Sequence, residues 1–194
     1  MKGYIYIASA FETVNRSVCG QKGSWIDNDP HFWTSPPTWR ICRNDFRAQV
    51  EPGDVIFFVL PIRGRHPQMI FGFLKVAEII SHSKAIGREE LRAKRMGNKM
   101  PNGNIIVDAV GHYNRFDRGV HRHKFEKVKL HYAIGSAAGS RMLTASEIER
   151  LVPTFIPTLS SIIGIEGTRA IDLISRKGRR LDAQQVKSLL RWLN

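Results

Sequence analysis

The chain has 194 residues, of which 42% are hydrophobic and 24% charged, a composition that suits one globular domain, or one domain with an extension. Lys and Arg total 30 against 17 Asp and Glu, a formal net charge of +13. That excess attracts polyanions and favours a nucleic-acid partner, although basic composition also serves solubility. The two cysteines, Cys19 and Cys42, are too few for a disulfide framework and suit ordinary intracellular thiols, with a single bridge between them as the alternative. Without an apolar run near the roughly 18 residues of a membrane span, and without a signal-peptide pattern, the sequence predicts a cytoplasmic protein outside membranes.

Runs rich in β-branched and aromatic residues predict five strands. They cover residues 4–9, 54–61, 69–80, 104–110 and 127–135. The second and third are joined by a short connection, which favours an antiparallel pair in the centre of a sheet. Few crossover helices separate the strands, so the sequence predicts an α+β fold with a mainly antiparallel curved sheet or small β-barrel and peripheral helices.

Helical signals lie in three places. The segment "REELRAKRMG" predicts a short basic helix that ends near Gly97. "TASE" at 144–147 fits a capping box, and Asp182 is a plausible N-cap. An apolar stripe follows at helical spacing, formed by Val186, Leu189, Leu190 and Leu193. We therefore divide the chain into a domain at 1–142 and a C-terminal helical extension at 143–194, which packs on that domain, on a partner or on a second copy in a homo-oligomer.

An aromatic loop precedes the second strand. The stretch "SWIDNDPHFWTSPPTWRICRNDFRAQVEPGD" contains Trp25, Trp33 and Trp39, three of the four tryptophans. A proline-stiffened loop can hold aromatic faces apart for stacking on a base. We predict that Trp33 and Trp39 line one pocket, with Arg40 or Arg43 near its mouth. The alternative is that these rings cap the end of the sheet.

Polar side chains near the rings can read base edges and phosphates. The predicted nucleotide-binding set is Trp33, Trp39, Ser35, Arg40, Arg43, Asn44 and Tyr113. Two basic runs, 84–99 and 112–131, supply the predicted phosphate contacts Lys94, Arg95, Arg115, Arg118, Arg122 and Lys124. The alternative for any one of these cations is a solvated face.

A family resemblance rests on several of these segments. "VEPGDVIFFVLP" and "MIFGFLKVAEII" contain a Gly-Asp turn that enters a strand and a Gly-x-x-x-Val pattern in the next strand. These features resemble the core of PUA-like β-barrels, the superfamily of EVE, YTH and ASCH domains. "FWTSPPTWRICRN" and "NGNIIVDAVGHYNRF" resemble the nucleotide modification associated domain 2 family. The resemblance implies a PUA-like fold over roughly residues 3–142 and recognition of a base, including a modified one.

Catalytic patterns are weaker. His121 and His123 lie two apart, which would allow joint metal binding on a strand, but no acidic or thiol set completes a site. Cys42 has no partner histidine at a recognisable spacing. Asp54, Glu78 and Asp108 lack a nuclease pattern, and Asp54 better serves its turn. We thus predict no catalytic residue, metal or cofactor, and prefer a nucleotide-binding module to two alternatives, an enzyme acting on nucleic acid or nucleotides and a protein-interaction module.

Overall fold

The computed structural model describes residues 1–8, 29–60, 68–97, 103–117, 119 and 121–194. Within them the chain is an α+β protein with one mixed, open sheet. The strands are β1 Gly3–Ile7, β2 Thr38–Trp39, β3 Val55–Val59, β4 Ile70–Ile80, β5 Tyr132–Gly135, β6 Arg141–Met142 and β7 Arg179–Leu181. The α-helices are α1 Asn44–Arg47, α2 His82–Ala85, α3 Phe125–Val128, α4 Ala145–Ile163, α5 Ala170–Ile174 and α6 Ala183–Leu193. Cys19, Trp25 and Arg118 lie outside the described residues.

The strand order is β2-β5-β4-β3-β1-β7, and β6 pairs with β4 beside that path. Only β1 and β3 run parallel among the described strand pairs; the other pairs are antiparallel. The predicted α+β class, with a mainly antiparallel sheet and C-terminal helices, is confirmed. The barrel alternative is not, because β2 and β7 remain separate edges in the described part of the chain.

β3 and β4 are the central antiparallel neighbours that the sequence predicts, with Phe57 opposite Phe73. Every residue of β3 is buried. Gly72 in β4 allows strand β6 to approach closely, since a Cβ there would lie 3.0 Å from the Arg141 carbonyl oxygen.

The Gly-Asp turn before β3 also matches its predicted role. Gly53 has a φ of 91°, a region that favours glycine. The Asp54 carboxylate accepts hydrogen bonds from the backbone N–H groups of Lys2 at 2.8 Å and Glu51 at 3.0 Å. Asp54 therefore secures the turn and the entry of β1 into the sheet.

Three sequence predictions differ from the structure. Residues 104–110 form no strand; Ile105 and Val107 make only isolated bridges, to Arg95 and Tyr113. The basic helix is a 3-10 helix at Glu89–Lys94. It ends early because the Lys94 carbonyl accepts the N–H groups of residues 104 and 105 instead of continuing a helix.

The last predicted strand is shorter than expected. Only Tyr132–Gly135 of the 127–135 run forms a strand, and helix α3 takes up residues at its start. A small second core covers this region. It contains Ile80, Ala85, Leu91, Ile105, Val107, Tyr132 and Ile134.

The C-terminal helices confirm their predicted caps. Thr144 and Glu147 form a capping box on α4, and Asp182 and Gln185 form one on α6. Helix α4 runs through Pro153 and Pro157; both face solvent, while the opposite face is buried. Among the described residues, no helix has the length and apolar character to cross a membrane.

Candidate functional site: a thiol, a histidine and a carboxylate beside an aromatic cavity

Cys42 lies in a tightly held turn between β2 and α1. The preceding residue, Ile41, has a φ of 50° and is fully buried, an unfavourable conformation for a β-branched residue. The Arg47 guanidinium donates to the Ile41 carbonyl from Nε at 3.3 Å and to the Cys42 carbonyl from Nη2 at 3.1 Å. The position of the Cys42 backbone is therefore fixed by buried contacts.

The Cys42 side chain contacts a histidine from a distant part of the chain. Cys42 Sγ lies 3.3 Å from His121 Nε2. His121 Nδ1 lies 2.9 Å from both carboxylate oxygens of Asp117. A carboxylate only accepts hydrogen bonds, so the neutral imidazole that suits this contact carries its proton on Nδ1 and turns the Nε2 lone pair to the thiol. We call these three residues the Cys42–His121–Asp117 triad.

Asp117 is held by further donors. Its carboxylate accepts hydrogen bonds from the Tyr113 hydroxyl and from the His121 backbone N–H, the latter at 2.9 Å. Arg40 Nη1 lies 3.3 Å from Asp117 Oδ1, and Arg40 Nε lies 3.4 Å from Asp29 Oδ2. All of Arg40, Asp29, Asp117 and His121 are buried, so this charge network is shielded from solvent and orients the imidazole.

The network determines the protonation states of Asp117 and Tyr113. Burial raises the pKa of Asp117, but the hydrogen bonds from His121 and Tyr113 and the charges nearby outweigh burial, so the pKa lies below its ordinary value. Burial and the Asp117 carboxylate raise the pKa of Tyr113 to about 12. At neutral pH, Asp117 is thus a carboxylate and Tyr113 a neutral donor.

The triad has the order of a nucleophile, a base and an orienting carboxylate. The contacts run in sequence from sulfur to imidazole to carboxylate and do not converge on one point. No group of three or more His, Cys, Asp or Glu side chains that could hold a metal ion occurs in the described parts of the chain.

A cavity of about 730 Å³ lies next to this network, within the usual range for small-ligand sites. Tyr113 belongs to both features, because it lines the cavity and its hydroxyl donates a hydrogen bond to Asp117. We call this space the Tyr113 cavity. Its lining residues are Ile86, Gly87, Arg95, Met96, Asp108, Ala109, Tyr113, Asn114, Arg115 and Phe116.

The Tyr113 cavity brings together three predicted site residues from both basic runs, Arg95, Tyr113 and Arg115. The Arg115 guanidinium carbon lies 5.0 Å from the ring centre of Phe116. The guanidinium of Arg122, another predicted phosphate contact, lies 6.0 Å from the Tyr113 ring. The cavity therefore combines aromatic faces with cations.

The structure differs from the predicted tryptophan pocket. Trp39 is 0% exposed and packs against Tyr6 and Phe58, with ring centres 5.5 and 5.7 Å away. Strand β2 places it in the core, as in the capping alternative. Trp33 is 42% exposed, so the two rings do not face each other across one pocket.

Two predicted surface cations are also buried. Arg40 is part of the Asp29 and Asp117 network rather than a pocket mouth. Lys94 is 0% exposed; its Nζ lies 2.9 Å from His31 Nδ1 and donates to the Thr34 carbonyl at 2.7 Å. Burial lowers the pKa of Lys94 to about 7, so its position and its charge differ from those of a phosphate-contacting lysine.

The remaining predicted residues lie elsewhere on the surface. Ser35 is exposed, and Lys124 is half-buried. Arg43 donates to the Arg176 carbonyl at 3.0 Å and lies over the Tyr6 ring. Asn44 accepts a hydrogen bond from Arg47 at 2.7 Å, which serves the turn around Cys42. None of these four lines the Tyr113 cavity.

Sequence reasoning missed Asp117 and the role of His121. The only local signal was an acidic residue four positions before a histidine in "FDRGVH". The thiol partner is 79 positions away from the histidine, and only the folded chain joins them. The paired histidines also separate, since His121 is buried and His123 is exposed.

Fold and geometry define an α+β protein with a triad beside an aromatic cavity. No protein-family model, curated protein or solved structure matches the chain in comparison.

Proposed function

We propose that the protein is a nucleic-acid or nucleotide-binding module that holds a base, including a modified base, in the Tyr113 cavity. The observation that carries this proposal is the arrangement of Tyr113, Phe116, Arg95 and Arg115 around one space. The resemblance to PUA-like domains and to the nucleotide modification associated domain 2 family points to the same kind of ligand.

The aromatic rings suit the base. A base removed from its stack regains about 1–3 kcal/mol on an aromatic face. The Tyr113 ring is anchored, because it meets the Phe125 ring edge-on with centres 5.2 Å apart and its hydroxyl is bonded to Asp117. An anchored ring loses little conformational entropy when a ligand binds.

The arginines suit the phosphates. Arg115 and Arg122 are exposed, so their guanidinium groups can reach a strand at the surface. Arg95 donates to the Arg88 carbonyl at 3.0 Å, which holds its side chain at the cavity wall. A net charge of +13 adds a long-range attraction for either DNA or RNA.

The test is fluorescence anisotropy with labelled single- and double-stranded DNA and RNA, and competition by nucleotides with modified and unmodified bases. Phe116→Ala should weaken binding by about 5- to 150-fold, the equivalent of losing one stacking partner. Arg115→Ala should weaken it and lower the slope of log affinity against log salt by about one phosphate contact.

The matched control is Arg150→Ala. Arg150 is an exposed arginine on α4, outside the cavity lining, and its loss removes the same charge. If both Arg115→Ala and Arg150→Ala lower the affinity equally, nucleic acid binds through the overall positive charge and not at the cavity. Unchanged affinity in a folded Phe116→Ala variant, or no binding at low salt, would overturn the proposal.

A further inference from the structure

We propose that Cys42 is the nucleophile of a second activity, covalent acyl transfer, with His121 as its base and Asp117 as the residue that positions the base. The substrate class is an acyl group joined as an ester or amide to an alcohol or amine. This inference is independent of base binding in the Tyr113 cavity.

The distances match the needs of nucleophile activation. A base must lie within hydrogen-bond reach of the nucleophile and must itself be oriented by a third group. The contact of Cys42 Sγ with His121 Nε2 is 3.3 Å, within reach for sulfur, and the two contacts of His121 Nδ1 with Asp117 are 2.9 Å. Nε2 is the nitrogen left to receive the thiol proton.

Burial is graded along the triad. Asp117 and His121 are 4% and 5% exposed, whereas Cys42 is half-buried. Cys42 is thus the most exposed residue of the triad, and the groups that activate it are shielded.

The surroundings favour a thiolate. The buried Arg47 guanidinium donates to the Cys42 carbonyl at 3.1 Å, which brings a positive charge close to this residue. Positive charge near a cysteine stabilises its anionic, nucleophilic form. The strained Ile41 and the Arg47 contacts fix the backbone of Cys42 before a substrate arrives.

The reaction proceeds in two balanced steps. His121 Nε2 takes the thiol proton, Cys42 Sγ attacks the acyl carbon, and the bond to the leaving group breaks as His121 returns the proton to the departing alcohol or amine. A thioester remains on Cys42. His121 then takes a proton from water, the resulting hydroxide attacks the thioester carbon, and the carboxylic acid leaves as the thiolate regains the proton.

The first test is alkylation by limiting iodoacetamide, followed by mass spectrometry of the intact chain. The Cys19→Ser variant leaves Cys42 as its single thiol, and Cys42→Ser leaves Cys19. At pH 6 we expect Cys42 to react at least about tenfold faster than glutathione, whose ordinary thiol is almost fully protonated there. A rate equal to that of glutathione, or slower, would overturn the proposal.

Two variants in the Cys19→Ser background test the partners. His121→Gln removes the base, and Asp117→Asn keeps the shape of the carboxylate but not its charge. Each should lower the alkylation rate at pH 6 by about tenfold or more while the rate at high pH, where any thiol ionises, changes little. A merely structural role would change melting temperature but leave the shape of the pH profile intact.

The second test is acyl transfer from p-nitrophenyl acetate. We expect a burst of nitrophenolate and an acetyl adduct on Cys42 that is absent from Cys42→Ser. Fast alkylation without this adduct would overturn acyl transfer. A Phe116→Ala variant that loses nucleic-acid binding should keep the alkylation rate and the acetyl adduct of Cys42. Either proposal can therefore be overturned without the other.

Discussion

At the scale of single residues, buried cations distinguish the centre of the molecule from its basic surface. Lys94 is fully buried against His31 and the Thr34 carbonyl, and Arg40 is buried against Asp29 and Asp117. A charge removed from water needs partners or loses its charge. Arg40 pairs with two carboxylates. Burial shifts the protonation equilibrium of Lys94 towards the neutral amine.

The two tryptophans of the aromatic loop should respond differently to truncation. Trp39→Ala should lower the free energy of unfolding by about 3–5 kcal/mol, because it empties a fully buried site. Trp33→Ala should cost much less, since 42% of Trp33 is exposed. Urea unfolding of both variants measures the difference, and equal losses would contradict the burial of Trp39.

The lowered pKa of Lys94 predicts that the stability of the fold depends on pH. Its pKa is about 7 in the fold and 10.5 ordinarily, so between these values the unfolded chain binds more protons. Stability should therefore rise with pH from about 7 to about 10.5. Lys94→Met should flatten this rise, as measured by urea unfolding at several pH values.

The control for Lys94→Met is Lys84→Met, at an exposed position. It removes the same charge without touching a buried amine. If both variants keep the full rise in stability between these pH values, Lys94 is not the source of the rise and its amine stays charged in the folded protein.

At the scale of elements, the apolar stripe of α6 shows what helical periodicity can predict. Val186, Leu189 and Leu193 are buried, as predicted, and Lys187 and Arg191 are exposed. Leu190 is only partly buried, although it packs against the core. The helix lies on the sheet itself: a Cβ at Gly3 would come within 2.3 Å of the Val186 side chain.

Leu189→Ala should therefore lower the free energy of unfolding by about 2–5 kcal/mol, as for other fully buried leucines. Lys187→Ala on the same helix should change it by less than about 0.5 kcal/mol. Thermal or urea unfolding gives both values. A Leu189→Ala variant as stable as the wild type would mean that α6 does not pack on β1 in solution.

At the scale of the whole molecule, the C-terminal segment shares the core of the sheet. β7 pairs with β1 at the edge, and one hydrophobic cluster contains residues of β1, β3, α4 and α6. The boundary at 142 and 143 stays a prediction about domains, but the packing predicts common unfolding.

Native-state hydrogen exchange can test this common unfolding. Buried amides of β1 and α6 should exchange through the same global opening, with the same free energy, because exposing one face exposes the other. Exchange of α6 amides through a much smaller opening energy would show that the helix detaches by itself. It would then also support a docking role for the C-terminal helices.

Several features follow from residues that are close together in the sequence. The Gly53–Asp54 turn, the β3–β4 pair, and the caps at Thr144 and Asp182 each depend on residues close in the chain. Side-chain alternation, turn chemistry and capping act over a few positions, so the sequence predicts them well.

Contacts between distant segments decided the rest. Trp39 and Trp33 have the same side chain in one loop, and only β2 pairing with β5 puts Trp39 inside. Cys42 contacts His121 across 79 positions of the chain, and Arg40 pairs with Asp117 across 77. Burial and long-range pairing depend on the whole chain at once, and no local pattern encodes them.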